Sequence, residues 1–243
     1  MPDPVLNVMN VTGGYVPDLP ILHGVSMQAH RGSVTVIIGP NGAGKSTLIK
    51  AIAGLVHVAE GSITHAGTEI TNIRPDRMAN HGIAYVPQTD NIFRSLTVRQ
   101  NLALALRRHL DPAAGLSDLL AQFPALTSKL EEKAGSLSGG QRQFLAVAMA
   151  LATTPSLVLM DEPSAGLSPK AAQEVLEQAR ALTENGVTIL LVEQNVNQAL
   201  RLADHCYILA EGRNQIDGNA ADLIGDPTVA EIYLGGKRLR AGA

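Results

Sequence analysis

The chain has 243 residues, 45% hydrophobic and 17% charged, enough to bury a sizeable core in one large α/β domain or in one domain carrying an inserted subdomain. A formal net charge of −3, aromatics at 3% and no tryptophan disfavour a nucleic-acid partner, which would draw on basic surface and stacking rings. One cysteine, Cys206, fits a reducing compartment, "MPDPVLNVMN" shows no signal-peptide pattern, and the longest apolar runs are too short to span a bilayer. We therefore expect a cytoplasmic chain that reaches any membrane through a docking partner.

Short apolar runs alternate with helical patterns along the chain, which predicts βα units and a mainly parallel sheet. "VTVIIG" (34–39) predicts a buried strand, followed by a glycine loop and a helix from Lys45 to Ala53 that Gly54 stops. "SITHAGTEI" (62–70) predicts a hairpin turning at Ala66 and Gly67, and "IAYV" (83–86) another strand. Residues 96–135 turn helical, with Thr97 and Gln100 forming a capping box; this region is expected as a helical subdomain inserted between core segments 1–95 and 136–243. "LVLM" (157–160) predicts a strand, followed by a helix from Pro169 to about Thr183. "TILLV" (188–192), "CYILA" (206–210) and a short helix after Asn219 complete the predicted elements.

"GPNGAGKST" comprises Gly39, Pro40, Asn41, Gly42, Ala43, Gly44, Lys45, Ser46 and Thr47, and it contains G-x-x-x-x-G-K-[ST] without a mismatch. It lies between a strand and a helix, as a phosphate-binding loop requires. The glycines let successive N–H groups turn toward phosphate oxygens, and the helix N-terminus adds partial positive charge. Lys45 places an ammonium on the outer phosphates, and Ser46 is positioned for Mg²⁺. In "LVLMDEPS" a buried strand ends in two carboxylates. Asp161 would hold Mg²⁺, usually through water, and Glu162 is the candidate general base for the attacking water. Gln88, in "YVPQ", is either a polar loop residue or a neutral amide that touches the metal or the water.

"LSGGQRQ" (137–143) is a second glycine-rich helix start. Ser138 is its expected N-cap, and Gly139 and Gly140 open the backbone to a phosphate. One fold does not bring both loops onto one nucleotide. Two chains arranged head to tail would place the first loop of one against the second loop of the other.

With these four motifs, in this order and at these separations, the chain resembles the nucleotide-binding subunits of ABC (ATP-binding cassette) transporters over nearly all of its length. The resemblance implies a P-loop core with an antiparallel β part. It also implies an ATP sandwich dimer in which Ser138, Gly139 and Gln141 face the partner's nucleotide, and a Tyr15 that stacks on adenine. Gln194, in "LLVEQNVNQ", stands where that family usually carries a histidine near the γ-phosphate. None of the seven histidines lies beside it. Gln194 can donate a hydrogen bond but carries no charge.

"VEQN", "PSAGLSP" and the ending "IYLGG" narrow the resemblance to one ATPase subunit of bacterial importers for branched-chain or other hydrophobic amino acids. Such a subunit implies a second ATPase subunit (hetero- or homodimer), integral membrane permeases, an indirect periplasmic binding protein, and a peripheral place on the cytoplasmic face of the inner membrane. A urea or amide importer, a lipid or lipopolysaccharide exporter and a DNA-associated ATPase are the alternatives. The absence of sustained heptads counts against the last.

Overall fold

The computed structural model describes residues 4–233; the closing "LGG" of residues 234–236 lies outside the described residues. The chain opens with two strands not predicted from sequence, β1 (Pro4–Gly14) and β2 (Leu22–His30). These lead into β3 (Val34–Ile38), α1 (Lys45–Ile52), β4 (His57–His65) and β5 (Thr68–Glu69). A 3-10 segment at Pro75–His81 precedes β6 (Ile83–Val86), α2 (Val98–Ala105) and α3 (Pro112–Gln122). Then follow α4 (Gly139–Leu151), β7 (Leu157–Asp161), α5 (Pro169–Glu184), β8 (Thr188–Val192) and α6 (Val196–Leu202). β9 (His205–Ala210), β10 (Arg213–Asn219), α7 (Ala220–Leu223) and α8 (Pro227–Tyr233) complete it.

The strands form two sheets, one of order β2-β1-β4-β5 and one of order β10-β9-β3-β8-β7-β6. The first is antiparallel throughout. In the second, β9, β3, β8, β7 and β6 run parallel and β10 is an antiparallel edge. Every residue of β3, β7 and β8 is buried, as expected for parallel strands covered on both faces.

The two-residue period of a strand sends alternate side chains into two different cores. Val34, Val36 and Ile38 of β3 join Val158 and Met160 of β7 and Ile189 and Leu191 of β8 against the helices α2 to α6. Ile37, Leu157, Leu159, Leu190 and Val192 face the other way, onto α1 and the antiparallel sheet. The hairpin between β4 and β5 turns on Ala66 and Gly67, both with positive φ (48° and 77°), the geometry that suits the twist of a two-residue hairpin. β4 begins at His57 rather than at Ser62.

Thr97 caps α2 in a complete box with Gln100, and the Asp111 side chain accepts from Ala113 and Ala114 N–H at the start of α3. Val98, Leu102, Leu106, Leu119, Phe123 and Leu126 pack this helical region into the same core as one face of the large sheet. Among the described residues no helix is long and apolar enough to cross a membrane.

Parallel strands share one carboxyl edge. The loops after β3, β6, β7 and β8 therefore leave side by side, which is where open α/β sheets bind ligands.

Candidate nucleotide site

The 39–47 loop leaves the end of β3 and turns into α1. Gly39 has φ +152°, and a Cβ there would run into the Leu209 carbonyl, so only glycine fits. Lys45 is 5% exposed and folds back over its own loop, donating to the Gly39 carbonyl at 2.8 Å and the Pro40 carbonyl at 3.1 Å. Burial pushes its ammonium below the usual lysine range, against the pull of Glu162 and Asp161. Ser46 donates to Asp161 Oδ1 at 2.9 Å, and the Tyr85 hydroxyl reaches Oδ2 at 3.4 Å. Burial pushes the Asp161 carboxyl above the usual carboxylate range despite the Ser46 hydrogen bond, and burial beside Asp161 pushes the Tyr85 phenol up as well. For both the ammonium and the carboxylate, burial thus outweighs the opposite charges nearby. An anion above Lys45 and a cation between Ser46 and Asp161 would relieve both. The oxygen-only donors Ser46 and Asp161 fit a hard cation such as Mg²⁺.

Glu162 follows at the end of β7, with φ +50° and its N–H donating to the Val192 carbonyl at 2.9 Å. Left-handed backbone at a non-glycine residue is strained. Gln194 Nε2 donates to Glu162 Oε2 at 2.7 Å, and Gln88 Nε2 to the same oxygen at 2.9 Å. The candidates at 88, 162 and 194, from three separate loops, therefore meet at one oxygen. Glu193, missed by sequence reasoning, sits behind them, 2% exposed. Its carboxylate accepts from Ser164 N–H (3.1 Å), Ser164 Oγ (2.8 Å) and Gln194 N–H (3.3 Å). Burial nonetheless holds its carboxyl above the usual range. An acid at the end of a fully apolar strand was the available signal.

Tyr15 is exposed on the loop between β1 and β2. That loop returns at Ile21, whose side chain lies beside Gly44.

Ser138 is the N-cap of α4. Its Oγ accepts from Gln141 N–H at 3.3 Å, and Gln141 Oε1 accepts from Ser138 N–H at 3.1 Å. A Cβ on Gly139 would press on the end of the Leu167 side chain, and one on Gly140 would sit tightly against Ala171. Gly139 lines a hollow with Gln88, Asn91, Gly166 and Leu167, and the 39–47 loop is not part of its lining. Asn91 Nδ2 donates to Gln143 Oε1 at 3.1 Å, joining the loop after Gln88 to α4. This pairing is not legible in the sequence: Gln143 closes "LSGGQRQ", but nothing in the letters joins it to the half-buried Asn91.

Residues 22–165 match the family model described as ABC transporter. The chain is 40% identical over 224 residues to the high-affinity branched-chain amino acid transport ATP-binding protein BraG of Pseudomonas aeruginosa, covering 91% of this chain and 96% of the relative. Among solved structures it resembles the ADP conformation of an ATP-binding cassette of an ABC transporter, with TM-score 0.85, 31% identity and coverage of 96% and 99%. It also resembles a dimeric cassette in a post-hydrolysis state bound to ADP and Pi, with TM-score 0.77, 26% identity and coverage of 88% and 98%. The residues matched by the family model include the loop after β3, the acidic end of β7 and the capped start of α4, and the chain belongs to the ABC transporter family, as an ATP-hydrolysing cassette.

Proposed function

We propose that this chain is one ATPase subunit of an importer for branched-chain or other hydrophobic amino acids, working with Mg²⁺ at the site just described. Gly39 to Thr47 cradle the phosphates, Lys45 moves from its own loop carbonyls onto the outer phosphates, and Tyr15 stacks on the adenine. Ser46, Asp161 and Gln88 would hold Mg²⁺, which when bound balances phosphate charge. Glu162 takes the proton of the attacking water. Both glutamine amides donate to Oε2, so Oε1 is the oxygen turned to that proton. A positioned base of this kind contributes about 10²–10⁴-fold in rate.

Ser138, Gly139, Gly140 and Gln141 serve the nucleotide of a second ATPase subunit, hetero- or homodimeric. The separate placement of the two glycine-rich loops and the dimeric relative support this. The helical region 96–135 and the loop after Gln88 grip a permease at the cytoplasmic face of the inner membrane, with a periplasmic binding protein delivering cargo. Phe93, Leu104 and Leu110 leave apolar surface exposed on this side, as a docking face would.

The convergence of Gln88 and Gln194 on Glu162, with only β8 between its strand and the strand that leads to Lys45, is the observation that carries this reading. The test is uptake of labelled leucine into vesicles holding the assembled transporter with and without Lys45→Ala. Uptake and ATP hydrolysis should both collapse; normal uptake by the variant sinks the reading.

A further inference from the structure

The last described helix reaches back to the first residue of the phosphate loop. α8 packs Val229, Ile232 and Tyr233 against the core that also holds α4 and one face of the large sheet. From there the Tyr233 hydroxyl accepts the Gly39 N–H at 2.6 Å. Burial pushes the Tyr233 phenol up to about 12, so it remains neutral at physiological pH. The other end of the same residue, the Gly39 carbonyl, accepts the Lys45 ammonium at 2.8 Å. One glycine thus carries two bonds. Its N–H is fixed by α8, and its C=O carries the lysine that contacts phosphate. The Leu209 carbonyl closes the space on its Cα, and Gly212 N–H ties down the Ala43 carbonyl at 3.1 Å. Of these restraints only the Tyr233 bond comes from a side chain outside both the phosphate loop and the sheet.

We propose that Tyr233 is a positioning residue of the nucleotide site: by holding the Gly39 N–H it keeps the phosphate loop in its binding shape, and it couples the docking of α8 to ATP binding. A loop ordered before ligand arrives loses less freedom on binding, so affinity rises. Linkage is reciprocal, so bound ATP must tighten α8 onto the core by the same factor. The proposal rests on the 39–47 loop being the ATP cradle.

The experiment uses the full chain with Tyr233→Phe, which keeps the ring and removes only the hydroxyl. The Kd for MgATP is measured by calorimetry, kcat at saturating ATP by phosphate release, and amide exchange across 227–233 with and without ATP. Loss of one neutral hydrogen bond should weaken ATP binding about three- to tenfold, with kcat within about twofold of wild type. ATP should slow exchange in α8 of the wild type and leave it unchanged in the variant. An unaltered Kd, whether or not the variant melts earlier, makes Tyr233 a packing residue only and overturns the proposal. Wild-type α8 exchange that ignores ATP overturns the coupling. Lys45→Ala run in parallel separates the two ideas: if that variant still binds ATP, it is the cradle that has been misplaced.

Discussion

Gln194 Nε2 lies 2.7 Å from Glu162 Oε2, and Gln88 shares that oxygen at 2.9 Å. A neutral amide therefore holds the proposed base. Since Gln88 holds the same atom, Gln194→Ala should slow ATP turnover by no more than about tenfold, the loss of one neutral hydrogen bond. Gln194→His, which can also donate, should retain most of the rate. ATPase assays on the assembled complex check both, and abolished turnover in the histidine variant contradicts this role for Gln194.

In the proposed mechanism Glu162→Gln removes the group that takes the proton and leaves Lys45, Ser46 and Asp161 to hold MgATP. Closed dimers should accumulate, and only with ATP and Mg²⁺ together. Adding Ser138→Arg drives a long side chain into the space meant for the partner's phosphates and should return the chain to monomers. Light scattering, on this chain alone and mixed with its ATPase partner, reads the outcome. Dimers that survive Ser138→Arg in both subunits would reduce "LSGGQ" to a helix cap.

Glu193 couples the Ser164 turn to Gln194, and its three donors need both carboxylate oxygens. Glu193→Gln replaces one acceptor oxygen with a donor, so the turn bearing Glu162 should loosen. We expect kcat to fall about three- to tenfold with KM for ATP little changed. Stability supplies a second readout. Burial raises this carboxyl in the fold, so its contribution is fully present below the ordinary carboxylate pKa and lost as pH rises through the raised value. The variant does not titrate. Its melting temperature relative to wild type should therefore climb as pH is raised from the ordinary carboxylate range, and a pH-independent difference would count against the raised pKa.

Asn91 and Gln143 join the Gln88 loop to α4 at 3.1 Å. A double-mutant cycle with Asn91→Ala and Gln143→Leu should be non-additive in permease-stimulated ATPase rate. Additive effects would mean that the two elements move independently.

Legibility in the sequence followed periodicity and backbone special cases. β3, β7 and β8 are unbroken apolar runs, and the strand–loop–helix around Lys45 requires glycines that are visible as letters. β1 was missed because bulges interrupt its register between Val8 and Val11 and again before Gly13, which breaks the two-residue alternation. β10, "RNQIDGN", never becomes fully buried, so its edge position leaves no hydrophobic pattern. The site showed the same divide. Lys45, Ser46, Asp161 and Glu162 stood out through motifs. Tyr85, Glu193 and Tyr233 owe their places to distant partners, which spacing along the chain does not encode.

The reciprocal bonds between Ser138 and Gln141 mean that the resting chain seals its own helix start. Both bonds run from a backbone N–H to a side-chain oxygen, so the Ser138 O–H and the Gln141 Nε2–H groups remain donors that an approaching phosphate could take without breaking either bond. If a partner's nucleotide docks at α4 as proposed, this helix start is shaped before it arrives and keeps its shape when the subunits part.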